Sequence, residues 1–108
     1  MIITTTDSVN NRVVTEYTGI VFGEVMTQIK NINTGAAGFS DYFNKQDNSY
    51  ETDLINSRID ALKELEERAL ELNADAVLGL TLDYQVLGPN KNILLVSASG
   101  TAVKFEQI

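Results

Sequence analysis

The groups in this sequence that can do chemistry are oxygen atoms. The chain has neither Cys nor His, which removes thiolate nucleophiles, imidazole bases, Ser-His triads and disulfides. It also removes thiolate and imidazole zinc sites. A bound metal would have to take oxygen ligands, as hard ions such as Mg²⁺, Ca²⁺ and Mn²⁺ do. The candidate ligands gather in two runs: Glu16, Tyr17 and Glu24 in one, Asp83 and Tyr84 in the other, with Asp75 just ahead of the second.

Glu16 and Glu24 lie on the same strand face, eight residues or about 26 Å apart, too far to hold one metal within a subunit. Their functional reading is as carboxylates lining a ring lumen or a cleft between subunits. The plainer reading is solvated strand residues, the usual state of carboxylates. Asp83 and Tyr84 point to opposite faces of their strand, and a carboxylate inside a strand is uncommon. Asp83 is thus either a ligand or a partner for a donor at a subunit interface. Asp75 is either an oxygen ligand or a turn carboxylate accepting local backbone N–H groups.

These residues ride on a readable frame. Residues 12–25 are β-branched and aromatic and predict a strand, and the short Ile2 to Thr6 piece before it in sequence adds a small edge strand. The Asn- and Gly-rich stretch 31–38 reads as loop. Phe39, Tyr42 and Phe43 then have the spacing of a short helix. Tyr50 to Leu72 predicts a long helix whose apolar stripe is Ile55, Ile59, Leu62, Leu65, Ala69 and Leu72. Asn48 and Glu51 have capping-box spacing, and Asn73 suits a left-handed helix end. Ala76 to Leu87 and Asn92 to Phe105 predict two strands joined by the turn residues Gly88-Pro89-Asn90. Strict alternation puts Leu78, Leu80, Leu82, Tyr84 and Val86 on one face and Thr81, Asp83 and Gln85 on the other.

The 108 residues make one domain over 1–108. No run approaches the ~20 apolar residues of a membrane span, and the N-terminus lacks the pattern of a signal peptide. A cytoplasmic protein is expected. A net charge of −7 with scattered Lys and Arg argues against nucleic-acid and membrane partners. One helix covers most of one face of a three-stranded sheet but not the other. Apolar residues on both sheet faces and two long edge strands therefore point to a homo-oligomer.

Three blocks carry a family resemblance. Glu16-Tyr-Thr-Gly-Ile-Val-Phe-Gly-Glu24, Ala74-Asp-Ala-Val-Leu-Gly79 with Asp83-Tyr84, and Val96-Ser-Ala-Ser-Gly-Thr-Ala-Val103 resemble, in order, the motifs of the YbjQ-like family. The resemblance implies an α+β fold, strand-helix-strand-strand like a dodecin subunit, with an antiparallel sheet packed on one long helix and five subunits in a ring. The family's label is heavy-metal-binding. This chain departs from it with Thr18 where some members have Cys, Asn73 for Gly and Gln85 for Glu. No catalytic residue and no cofactor is identified. The first functional reading is a homo-oligomer binding a small ligand or cation through Glu16, Tyr17, Glu24, Asp83 or Tyr84. The alternative is an enzyme using carboxylate acid–base chemistry in an inter-subunit cleft, which needs two acids converging in one pocket.

Overall fold

The computed structural model describes residues 1–28, 49–88 and 92–107. The expected aromatic helix at Phe39, Tyr42 and Phe43, the cap at Asn48, and Pro89-Asn90 of the turn lie outside them. The elements run β1 (Ile2–Ile3), β2 (Val14–Gln28), α1 (Ser49–Glu71), β3 (Ala76–Leu87) and β4 (Ile93–Phe105). They form one sheet in the order β1-β3-β4-β2, with α1 packed across β2 and β4. β4 is antiparallel to both β2 and β3.

The sheet is mixed, which corrects the expectation of an antiparallel one. β1 does not flank β2. It pairs in parallel with the start of β3, Ile2 beside Ala76 and Ile3 beside Val77. Backbone bonds between Thr4 and Val77, Leu80 and Thr4, and Gly79 and Thr6 extend this contact. The next residues then cross the sheet to reach β2 at the opposite edge. On the way they lay Val9 over Ala76, Leu78, Val103 and Phe105, a small second core on the face away from α1. Arg12 closes this strap with its guanidinium 4.6 Å from the centre of the Phe105 ring, a cation–π contact.

The main core lies between α1 and the sheet, where Leu65, Val77, Leu94 and Val96 are fully buried with Ala61, Ala69, Ala98 and Ala102. Each large aliphatic side chain contributes about 1.5–3 kcal/mol by leaving water. The helix is seated one column away from the expected stripe. Its buried line is Ser57, Ala61, Leu65 and Ala69, with Leu54 and Leu62 partly buried, while Ile55, Ile59 and Leu72 are exposed. The cause is close approach. A Cβ on Gly23 would overlap the Ala61 carbonyl oxygen and lie 2.8 Å from the Leu65 nitrogen. Only the column of small residues, Ser57, Ala61 and Ala69, permits that separation, so the bulkier isoleucines turn to the flank. Thr27 and Ser57 share a 2.7 Å hydrogen bond along the seam. The helix ends as expected, with Asn73 at φ 58° and the bonds Asn73 N to Leu70 O and Ala74 N to Ala69 O, a Schellman closure.

Three irregularities reset the strand faces. β2 gains an extra residue against β4 between Val14 and Glu16 and another between Tyr17 and Gly19. β3 gains one between Leu78 and Thr81, where Gly79 at φ 62° supplies a left-handed conformation that favours glycine. Leu78 therefore faces away from α1 while Leu82, Tyr84 and Val86 face the helix side, which corrects the strict alternation. From Thr81 to Leu87 every residue of β3 is exposed. The Cα radius of gyration, 17.8 Å, exceeds the roughly 13 Å of a compact chain this long. Among the described residues no helix is long and apolar enough to cross a membrane.

Gly23→Ala should destabilise the protein by about 1–3 kcal/mol or more, because the clash is with helix backbone that cannot repack. Chemical denaturation checks this. Gly79→Ala, with open space around its Cβ but a positive φ, should cost about 1 kcal/mol.

Candidate functional site

The register of β2, β4 and β3 assembles a polar rung on the sheet face away from α1. Ser97 of β4 has Glu24 of β2 on one side and Asp83 of β3 on the other. Paired residues of neighbouring strands point to the same face, so all three side chains rise together. The two carboxylates stand two strand spacings apart, about 10 Å between Cα atoms. Both are exposed and Ser97 is half-buried. Neither carboxylate hydrogen-bonds or ion-pairs with another described residue. One rung away, Ser99 stands between Phe22 and Thr81; on the other side Leu95 stands between Met26 and Gln85. Phe22 is 47% and Met26 65% exposed. The result is a strip of hydroxyls and carboxylates crossing an uncovered, partly apolar surface.

Of the five residues singled out by sequence, only Glu24 and Asp83 come together. Tyr17 faces the same way but pairs with Val103, about 20 Å along β4 from Ser97. Tyr84 pairs with Val96 and rises on the helix side. Glu16 pairs with Lys104. The extra residue between Tyr17 and Gly19 puts Glu16 and Glu24 on opposite faces, which overturns their expected alignment. Asp75 takes the structural role. Its Oδ2 accepts the Phe105 backbone N–H at 2.8 Å, while its own N–H donates to the Val103 carbonyl at 2.8 Å. Its side chain thus extends the β3–β4 ladder beyond its last backbone pair. Ser97 escaped sequence reasoning because nothing local marks it. Only the three-strand register, bulges included, sets it between two acids.

The donor set at the rung is two carboxylates and a hydroxyl. It suits a hard cation or a polar organic group, with remaining ligands from water or another chain. It does not suit a soft heavy metal, for which thiolate and imidazole are the usual ligands; this chain has neither. Among the described residues no three His, Cys, Asp or Glu side chains are grouped to hold a metal ion.

Among the described residues, fold and surface together define a small α+β domain with a mixed sheet and one helix packed on it. The chain belongs to the YbjQ-like family, whose model, described as "Putative heavy-metal-binding", matches residues 1–106. Relatives of similar length share close to half the sequence. A UPF0145 protein of Clostridium kluyveri is 49% identical over 98% of this chain and 100% of its own. One of Clostridium botulinum is 48% identical over the same shares, and one of Listeria monocytogenes 42% over 98% of this chain and 96% of its own. Among solved structures, a protein of unknown function of the DUF74 family from Pediococcus pentosaceus superposes with a TM-score of 0.62 over 98% of each chain. At 20% identity that likeness concerns the fold.

Asp75→Ala should lower stability by about 1–3 kcal/mol, since a charge-assisted bond is lost and the Phe105 N–H is left unpaired. Asp75→Asn, which keeps an acceptor oxygen, should cost less. Thermal melts of the two variants check the order.

Proposed function

We propose that this chain is one subunit of a cytoplasmic homo-oligomer, a ring of five as the family resemblance implies. In this reading the assembly binds a small polar ligand or hard cation through oxygen ligands. The observation that carries the binding site is the rung of Glu24, Ser97 and Asp83 on an open sheet face. Two carboxylates flanking a hydroxyl give three oxygen-bearing side chains at one level. A Ca²⁺-like ion takes six to eight oxygens in all. The balance comes from water and from the neighbouring subunit that covers the face. Assembly is supported by the apolar surface left around the rung, where Ile20 is 69% exposed beside Phe22 and Met26. Isolated soluble chains rarely leave large contiguous apolar patches in water.

Native mass spectrometry on protein purified without chelator tests both parts. The expected result is a pentamer carrying a stoichiometric adduct, or gaining one on addition of Ca²⁺, Mg²⁺ or Mn²⁺. Glu24→Gln with Asp83→Asn should weaken that binding at least tenfold while leaving the fold intact by circular dichroism. Adduct binding unaffected by the double substitution would remove the rung as the site.

A further inference from the structure

The distal half of β3 is held in register by very little. Leu78 pairs with Thr101, but the next pair is Thr81 with Ser99, so Gly79 and Leu80 together stand against Gly100. The extra residue inverts every face beyond it. Gly79 carries it at φ 62° and is exposed, with nothing within 4 Å of where a Cβ would lie. No residue from Thr81 to Leu87 is buried on either face. Register is strongly specified where one face is buried, because a one-residue slip then turns the wrong side chains inward. Here a slip changes no burial over that stretch.

The same residues fit a second register. Without the extra residue, counting on from Leu78 beside Thr101 sets Leu80 beside Ser99, Leu82 beside Ser97 and Tyr84 beside Leu95. The apolar set Leu78, Leu80, Leu82, Tyr84 and Val86 then falls on one face, as a flat strand requires. That face joins Ile20, Phe22 and Met26 of β2, which are already exposed on it. Gly79 would meet Gly100, with no side chain on either. The connection to Ile93 lengthens by one residue, a small entropic change. What holds the bulged register is local. Leu80 packs against the main core. The N-terminal strap also takes two bonds from the bulge, Gly79 N–H to the Thr6 carbonyl at 2.9 Å and Leu80 N–H to the Thr4 carbonyl at 3.0 Å.

We infer that Gly79 is a register switch, and that β3 beyond it exchanges between the bulged register and a flat one shifted by one residue along β4. The two registers give the open face different chemistry. In the bulged one Asp83 stands beside Ser97, with Glu24 on the other side, and the rung has two carboxylates. In the flat one Leu82 takes the place of Asp83 and the rung keeps a single carboxylate. A hard cation on the rung therefore selects the bulged register, since a ligand shifts an equilibrium by its differential affinity for the two states. This coupling rests on the binding reading above; the register exchange does not.

A chain without Cys allows each register to be trapped by a disulfide, which needs Cβ atoms that face each other. Tyr84→Cys with Leu95→Cys can close in the flat register only, because in the bulged one Tyr84 pairs with Val96 and points to the helix side. Gln85→Cys with Leu95→Cys closes in the bulged register, where the two residues pair. In folded protein under oxidised glutathione both disulfides should form, the first more slowly. Gly79→Val, strained at positive φ, should speed the first roughly five- to thirty-fold. Gly79→Asn, which tolerates that conformation, should change it little. Ca²⁺ should slow the first pair, whose positions leave Glu24, Ser97 and Asp83 in place. Closure of the second pair alone would overturn the inference. So would a first pair that closes no faster than Tyr84→Cys with Ser99→Cys, which meet only when the sheet opens. Ca²⁺ that binds without slowing the first pair would overturn the coupling. Wild-type protein that takes up no Ca²⁺ in native mass spectrometry would instead remove the rung as a binding site, and the disulfides would still decide the register.

Discussion

The structure depends on how closely α1 approaches β2. The helix backbone at Ala61 and Leu65 presses on Gly23, and no side chain fits between them. The column Ser57, Ala61 and Ala69 faces the sheet because those residues are small enough. Leu65 fills what space remains toward β4. With the helix drawn to β2, a single ~10 Å cylinder cannot also reach the distal half of β3. The exposed Leu82, Tyr84 and Val86 are thus a geometric consequence of the glycine contact on the other side of the sheet.

The same placement accounts for both unfinished surfaces. On the side away from α1, the N-terminal strap covers Val103, Phe105 and Leu78, and Val9 is its only apolar residue in that cluster. Beyond the strap, β4 shows Ser97 and Ser99 between two acids and a threonine. There the sheet presents polar side chains suited to oxygen coordination, framed by Phe22 and Met26. At the β3 edge it presents backbone. With two small cores, one on each sheet face, the described residues leave these surfaces exposed.

Much of this was legible in the residues. β3 begins and ends where its composition said, the helix is within one residue at each end, and Asn73 closes it in the left-handed conformation its amide suits. The resemblance in three blocks located the family. What alternation could not supply was register. Three extra residues, in β2 before Glu16 and before Gly19 and in β3 around Gly79, invert faces without leaving a clear mark in composition beyond the two glycines, both at positive φ. They separated Glu16 from Glu24 and moved Leu78 away from Leu82. The parallel docking of Ile2 and Ile3 on β3 was equally hidden, since two residues carry no period. The helix stripe was misjudged because hydrophobicity favoured Ile55 and Ile59, whereas steric closeness favoured serine and alanine.

The most direct test of this account is residue-resolved amide hydrogen exchange on β3. Thr81, Asp83 and Gln85 pair with β4 and should be protected, and Leu82, Tyr84 and Val86 should exchange faster. Protection of the second set with fast exchange in the first would contradict the register that sets Asp83 beside Ser97 and Glu24.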